Sequence, residues 1–219
     1  MTQNNIDVHS IRGIGFDATC SLAVFTHDTD EPVSVTGPKF DKSGNDHNVV
    51  LWLDHRPVEE TKKINATNHN LLRYVGGTMS IEMEIPKVLW LKNNMPKELF
   101  DRCKFYDLTD ALEHLATGNE KRSFCSVVCK QGYVPVGVDG SVKGWQEDFL
   151  SEIGLSDLAE DDFRRMGGVN GVVLTITSFP QALYANDLFR MANTYLQANS
   201  RVLYAQKLPK IWVSQPALL

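Results

Sequence analysis

The sequence has few cysteines, no cluster of basic residues and no long apolar run, and each absence excludes a class of protein. Four cysteines among 219 residues are too few for a disulfide scaffold and favour a reducing compartment. A net charge of -5 without a Lys/Arg cluster argues against a nucleic-acid-binding face. The apolar runs are too short to cross a membrane, and the opening segment MTQNNIDVHS carries neither the basic nor the apolar part of a secretory signal. The sequence therefore predicts a cytoplasmic protein whose partners are neither nucleic acid nor membrane.

The remaining composition is that of a globular protein containing both strands and helices. A hydrophobic fraction of 42% and a charged fraction of 22% allow a sizeable core. Short apolar or β-branched runs predict strands at Ile11–Phe16, Ser21–Phe25 and Val49–Leu53. The stretch Thr26–Asn48 is rich in Asp, Gly, Pro and His, so we expect an exposed connection there.

Helical patterns follow these strands. The first begins at Pro57, which suits an opening helical turn, and ends near the Gly76-Gly77 pair. Further helices are predicted for PKVLWLKNN from Pro86, for Leu108–Leu115 before Gly118, and for Trp145–Ile153 before Gly154. Strands followed by several helices predict an α/β or α+β fold.

Asp17 is the first candidate for a binding residue. It directly follows a strand-like run in which Gly13 and Gly15 allow a close approach of the backbone. A carboxylate at a strand end can accept hydrogen bonds from two hydroxyls of a polyol. It can equally cap a turn by bonding to its own backbone, and the residues alone leave both readings open.

Other polar or aromatic residues also have two readings. Trp52 either stacks on a sugar or fills the core, and the usual burial of tryptophan favours the core. Asp54 and Arg56 are interpreted as a helix cap and a surface ion pair. Lys130 either donates to a ligand oxygen or is solvated, as most lysines are.

No metal site is predicted. Cys125 and Cys129 lie four residues apart, which is typical of two small core residues on one helical face and, less often, of a metal site. The histidines His47, His55 and His69 lack metal-binding spacing.

Several segments occur in an order that resembles the ribulokinase-like branch of the FGGY carbohydrate kinases. They are GFDATCSL, NVVLWLDHR, INATNHNLLRYVGGTMSIEMEIPKVLWLK, FYDLTDALEHLATG, SFCSVVCK and GWQEDFLSEIGL. The resemblance implies an α/β fold in which residues 1–168 form part of an actin-like (ribonuclease H-like) ATPase domain, the sugar-binding N-terminal domain. It also implies transfer of the γ-phosphoryl group of ATP to a sugar hydroxyl, with Mg²⁺ and with a pentulose such as ribulose as substrate.

The resemblance also assigns residues to the sugar pocket. Asp17, Ala18 and Cys20 match the loop that lines it, Glu82 matches a lining position, and Lys130 matches a lysine that binds the ketose. In a supporting role, Trp52, Asp54 and Arg56 match a family signature that we interpret as structural. The family often has Trp after the lysine, whereas this chain has Gln131, followed by an insertion at Val134–Val142.

The parts that handle phosphate have no counterpart in this sequence. The family's Gly- and Thr-rich hairpin, its Asp-Ala-His-x-Gly segment and its second domain are missing, and the aspartate of that segment is the expected general base. We therefore expect no catalytic residue, no metal ligand and negligible kinase turnover in this chain. Alternatives are a non-catalytic sugar-binding or regulatory fragment, and a splicing or gene-model product without function.

Residues 169–219 are predicted to be a tail unrelated to the family. A one-base shift in reading frame permits a family-like segment from Ala205 to Leu219, and codons at Val169-Asn170 and Phe189-Arg190 permit splice sites. The hypothesis is that Val169–Phe189 is translated intron and Arg190–Leu219 is out of frame. A domain without its opening strands would leave a sheet edge unpaired, which predicts self-association.

Overall fold

The computed structural model describes residues 16–41, 47–135, 144–169 and 171–173, and these form a mixed α/β fold. The predicted strand Ile11–Phe16 lies outside these residues except for Phe16, which belongs to no strand. The tail beyond Val173 and most of the insertion at Val134–Val142 also lie outside them. None of the helices in the described part has the length and apolar character needed to cross a membrane.

The main sheet is antiparallel and has the strand order β2-β1-β3. Its strands are β1 (Leu22–Thr26), β2 (Val49–Val50) and β3 (Cys103–Asp107). β1 and β3 are rich in apolar and aromatic residues, which favour strands, and every residue of both is buried. Their register pairs Leu22 with Asp107. The end of β3 therefore lies beside the segment that leads into β1.

Two predictions for this region are partly wrong. The strand predicted at Val49–Leu53 ends at Val50, because the chain then turns and exposes Leu51 and Leu53. The connection predicted to be exposed contains buried side chains at Val33, Val35 and Phe40, which pack into the main core. The prediction followed the many polar residues of this stretch and gave too little weight to its apolar ones.

The helices occupy most of the remaining chain. They are α1 (Val58–Ala66), α2 (Glu84–Asn94), α3 (Lys97–Phe100), α4 (Leu108–Thr117), α5 (Phe124–Lys130), α6 (Glu147–Ile153) and the four-residue α7 (Glu160–Phe163). Single 3₁₀ segments cover Asn70–Val75, Ser156–Ala159 and Arg164–Met166. The predicted ends of α4 and α6 at Gly118 and Gly154 are confirmed, since both glycines adopt the left-handed conformation that ends a helix.

The first predicted helix is interrupted. α1 ends at Ala66 because Asn68 has φ 50°, a conformation outside the α-helical region. A separate 3₁₀ helix then runs to Val75 and ends at Gly76. The helix predicted from Pro86 begins two residues earlier, at Glu84, which places the proline in the first turn where its missing N–H is not needed.

The predicted core placement of Cys125 and Cys129 is wrong. α5 buries Ser126 and Val127, and this leaves Cys125 half-buried and Cys129 exposed. The face that α5 turns inward is thus adjacent to, but different from, the face that carries the two cysteines. Before α5, β4 (Arg122–Ser123) pairs in parallel with β5 (Val172–Val173) to form a second, two-stranded sheet.

Candidate functional site

The candidate site lies where the end of β3 meets the segment before β1 and the end of α5. The backbone N–H of Leu108, just after β3, donates to the carbonyl of Ser21 at 2.8 Å. This bond and the pairing of Leu22 with Asp107 bring the segment Asp17–Ser21 next to the strand end. The local folding therefore places the first candidate motif beside charged residues that are almost ninety positions later in the chain.

Lys130 is the cation of this site. Its Nζ donates to Oδ1 of Asp107 at 2.9 Å, and 12% of its side chain is exposed while Asp107 is fully buried. Ser126, one helical turn earlier on α5, donates its hydroxyl to the other Asp107 oxygen at 3.1 Å. The solvated reading of Lys130 is wrong, because the ammonium is held against a buried carboxylate at the sheet edge.

Asp17 has a carboxylate oxygen that can accept a further hydrogen bond. Its Oδ1 is buried and has no hydrogen-bond partner among the described residues. Burial raises the pKa of Asp17, while the backbone N–H of Ala18 and the charge of Lys130 lower it and the charge of Asp107 raises it. The nearby Ala18 N–H agrees with a turn-capping role, but the unpaired oxygen leaves room for a donor from a ligand.

Glu84 adds a second buried carboxyl that the sequence did not reveal. It is fully buried, and the side-chain amide of Gln131 donates to its Oε2 at 2.6 Å. Burial raises the pKa of Glu84 well above its usual range, and the charge of Asp107 raises it further, against the opposing charge of Lys130. Gln131 thus binds a buried carboxyl through its side-chain amide.

Cys20 and Glu82 meet through the backbone. The thiol of Cys20 donates to the carbonyl of Glu82 at 3.8 Å, and Nζ of Lys87 donates to the same carbonyl at 2.7 Å. Lys87 also donates to the carbonyl of Trp52 at 3.2 Å, and burial lowers its pKa. A single buried lysine on α2 therefore ties three of the sequence-predicted segments together, while the side chain of Glu82 stays half-buried.

The core placement predicted for Trp52 is wrong, since 36% of the residue is exposed. Its backbone carries its structural contacts: its N–H donates to the Ser21 hydroxyl at 3.2 Å. The predicted ion pair is present, with Nη2 of Arg56 2.7 Å from Oδ2 of Asp54. Asp54 does not cap α1, however, because its Oδ1 accepts the N–H of Arg56 and closes a turn before the helix.

Arg56 connects this turn to the rest of the fold. Its guanidinium lies 4.2 Å from the ring centre of Trp90 and donates to the carbonyl of Val35 at 3.1 Å. The guanidinium of Arg56 therefore contacts both α2 and the connection that follows β1. They agree with the structural role that the sequence assigned to this residue.

A further buried carboxyl, Asp110, makes stability depend on pH. Its Oδ1 accepts the N–H of Ser123 at 3.0 Å, and Oδ2 has no hydrogen-bond partner among the described residues. Burial raises its pKa from 3.8 to about 8, with a further increase from the charge of Asp107 and an opposing effect from Arg122. Between these two pH values the folded protein binds a proton that the unfolded chain releases, so stability falls as pH rises.

We expect the Asp110→Asn variant to lose this dependence. As pH rises from about 5 to about 8, the free energy of unfolding of the wild type should fall relative to that of the variant, by at most about 1.4 kcal/mol per pH unit for one group. Urea unfolding of both proteins at several pH values measures the difference, and titrations that are common to both cancel. Parallel pH curves would show that Asp110 is ionised in the folded protein.

The described residues do not fit a Mg²⁺ site. Asp30, His114 and Glu120 bring ligand atoms within 4.8 Å of one another, but Nζ of Lys104 contacts both carboxylates and supplies the positive charge there. At the candidate site the Asp107 carboxylate is likewise paired with a lysine, Lys130, at 2.9 Å. A separate open groove of about 430 Å³ is lined by residues such as Lys121, Asp161 and Arg164, and by none of the predicted sugar-site residues.

Several known proteins that are similar to this chain in sequence are carbohydrate kinases, as the order of motifs predicts. A D-ribulokinase of Saccharomyces cerevisiae is 54% identical over 166 residues, which make up 76% of this chain and 23% of that protein. FGGY carbohydrate kinase domain-containing proteins of Homo sapiens and Xenopus laevis are each 44% identical, over 164 and 163 residues, covering 74% of this chain and 28% of each relative.

Comparisons with family models and with solved structures give weaker matches or none. No protein-family model matches the chain. Among solved structures, a xyloylose kinase from Brucella ovis aligns with a TM-score of 0.45 and 17% identity, covering 63% of this chain and 25% of that one. By sequence the chain is a homologue of the FGGY carbohydrate kinases, and it spans about a quarter of the length of the curated relatives that it matches.

Proposed function

We propose that this chain supplies sugar-binding residues for the ATP-dependent phosphorylation of a carbohydrate, with a pentulose such as ribulose as ligand. Asp17 is the acceptor for sugar hydroxyls and Lys130 is the donor to a hydroxyl or carbonyl oxygen. Ala18, Cys20 and Glu82 line the same wall. In this proposal the described residues belong to the actin-like, sugar-binding domain of the kinase.

The unpaired Oδ1 of Asp17 is the observation that carries the proposal. A buried carboxylate oxygen without a donor is costly, and a ligand hydroxyl would supply that donor. Lys130 lies close enough for its charge to lower the pKa of Asp17. A polyol carries several hydroxyls that both donate and accept, so it complements an acceptor and a donor placed together.

ATP and Mg²⁺ are part of the proposal for the whole kinase only. A phosphoryl transfer site depends on positioned phosphate-binding groups and on charge stabilisation by the metal. This sequence has no counterpart of the family's phosphate-binding hairpin or of its general base. We therefore assign no contact with ATP or Mg²⁺ to the described residues. On this proposal the chain binds the sugar and shows negligible turnover by itself, and self-association through an unpaired strand edge accompanies it.

Calorimetric titration of the purified chain with ribulose and xylulose, combined with an ATP-dependent phosphorylation assay, tests this function. The expected result is saturable binding of a pentulose without turnover, weakened in Asp17→Ala and unchanged in Asp161→Ala, an exposed aspartate in the separate groove. Turnover by the chain alone would overturn the non-catalytic part of the proposal. Equal binding by wild type and Asp17→Ala would overturn the assignment of the site.

A further inference from the structure

Cys125 and Cys129 form a pair of thiols on one face of α5. Their Sγ atoms are 3.9 Å apart, within hydrogen-bonding distance for sulfur. Cys125 is half-buried and Cys129 is exposed, so the second sulfur is accessible from solvent. Neither cysteine takes part in the hydrogen bonds that Ser126 and Lys130 of the same helix donate to Asp107.

The two sulfurs are chemically different from each other. The pKa of Cys129 falls to about 7 because of its hydrogen bond with Cys125 and, to a smaller extent, the charge of Lys130, against an opposing effect of burial. When Cys129 is deprotonated, Cys125 holds the proton between them, and the pKa of Cys125 is raised by the same bond. Near neutral pH, therefore, a substantial fraction of Cys129 is thiolate, while Cys125 keeps its proton.

The remaining cysteines provide an internal contrast. Burial raises the pKa of Cys20 and of Cys103 to about 12, so both stay protonated at neutral pH. Because the thiolate is the nucleophile in sulfur chemistry, these two residues should react slowly. The difference between the pair and the buried cysteines makes the chemistry of α5 selective.

A metal ion does not explain the pair. Structural zinc takes four ligands, and no third His, Cys, Asp or Glu ligand atom joins these sulfurs at metal-binding distance in the described part of the chain. Lys130 directly follows Cys129 in sequence and adds a positive charge, which opposes binding of a cation.

We propose that Cys125 and Cys129 are a reactive dithiol that reduces low-molecular-weight disulfides and closes to an intrahelical disulfide. The Cys129 thiolate attacks one sulfur of the disulfide, forms a mixed disulfide and releases the first thiolate. Cys125 then loses its proton and attacks the Cys129 sulfur, which breaks the mixed bond and releases the second thiolate. In total, two protein thiols and one disulfide give one protein disulfide and two small thiols.

Backbone geometry permits closure. Residues four apart in an α-helix have Cα atoms about 6 Å apart, inside the range of roughly 4.4–6.8 Å that disulfides span. The sulfurs must approach from 3.9 Å, and Cys129 lies in the last turn of a seven-residue helix, where adjustment is least costly. Such a bond is expected to be easily reduced again, since strained and exposed disulfides are the labile ones.

Mass spectrometry of the intact chain after treatment with oxidised glutathione tests the mechanism. The wild type should lose two hydrogens and retain no glutathione. Cys125→Ser should retain one glutathione on Cys129, because the resolving thiol is gone, and Cys129→Ser should react at least about tenfold more slowly than the wild type. Peptide mapping identifies the modified residue and shows whether Cys20 or Cys103 has become exposed by unfolding.

Two results would overturn the proposal. One is a wild type that keeps glutathione on Cys129 without forming the internal disulfide. The other is a Cys129→Ser variant that is modified at Cys125 as fast as the wild type is modified. The readout requires no sugar, so it is independent of the proposed function.

Discussion

Replacing Lys130 by methionine should lower the free energy of unfolding by about 3–5 kcal/mol. The substitution keeps the length and apolar stem of the side chain but removes the charge that faces Asp107, which is fully buried. Glu84, whose pKa is already raised by burial and by Asp107, lies close to the same charge. Without the ammonium, the buried carboxyls of Asp107 and Glu84 lose a nearby positive charge, which destabilises the folded state.

Urea unfolding at neutral pH measures this loss, and the Asp107→Asn background identifies its cause. The amide introduced by Asp107→Asn would retain an oxygen for the Ser126 hydroxyl while removing the buried charge, so the double variant should recover most of the stability lost by Lys130→Met. Lys62→Met is the matched control, because Lys62 is an exposed lysine whose ion pair with Glu59 lies on the surface. Equal losses in both backgrounds would show that the pair with Asp107 is not what Lys130 stabilises.

Loss of Lys130 should also weaken pentulose binding by about 10- to 100-fold, the effect of removing one hydrogen bond to a charged group. The comparison is between Asp107→Asn alone and the double variant with Lys130→Met, since both are expected to fold. Calorimetric titration with ribulose gives the two dissociation constants. Binding of similar strength in both proteins would remove Lys130 from the sugar site and leave it a structural role only.

The sequence predicted which segments come together better than it predicted the contacts between them. Asp17, Cys20, Glu82 and Lys130 came from the order of family-like segments, and the structure brings all of these segments to one region. Asp107 was missed although it ends an apolar run, because its role depends on a pairing between strands far apart in sequence. Nothing in the local pattern around a strand end states which element will cover it.

The sequence-based predictions also missed two buried ionisable side chains. Glu84 and Lys87 lie within the motif SIEMEIPK and look like ordinary polar positions at a helix start, yet both are buried. Part of the cost of burial is offset because Gln131 donates to one oxygen of the Glu84 carboxyl, and because the carbonyls of Trp52 and Glu82 accept hydrogen bonds from Lys87. These partners come from other segments, so helical periodicity alone gives no indication of them.

Trp52 and the two cysteines show the limit of average burial as a guide. Tryptophan is usually buried, but the turn after β2 holds the backbone of Trp52 through Ser21 and Lys87 and leaves the ring partly exposed. A spacing of four residues correctly placed Cys125 and Cys129 on one helical face. It did not indicate which face of α5 packs inward, and that choice depends on Ser126 bonding to Asp107.

A crystal structure of the chain grown with ribulose is the most direct test of the proposed site. We expect sugar oxygens at roughly 2.5–3.2 Å from Oδ1 of Asp17 and from Nζ of Lys130, with Glu82 and Cys20 along the same wall. Ribulose bound away from both residues, for example in the groove beside Asp161 and Arg164, would contradict it.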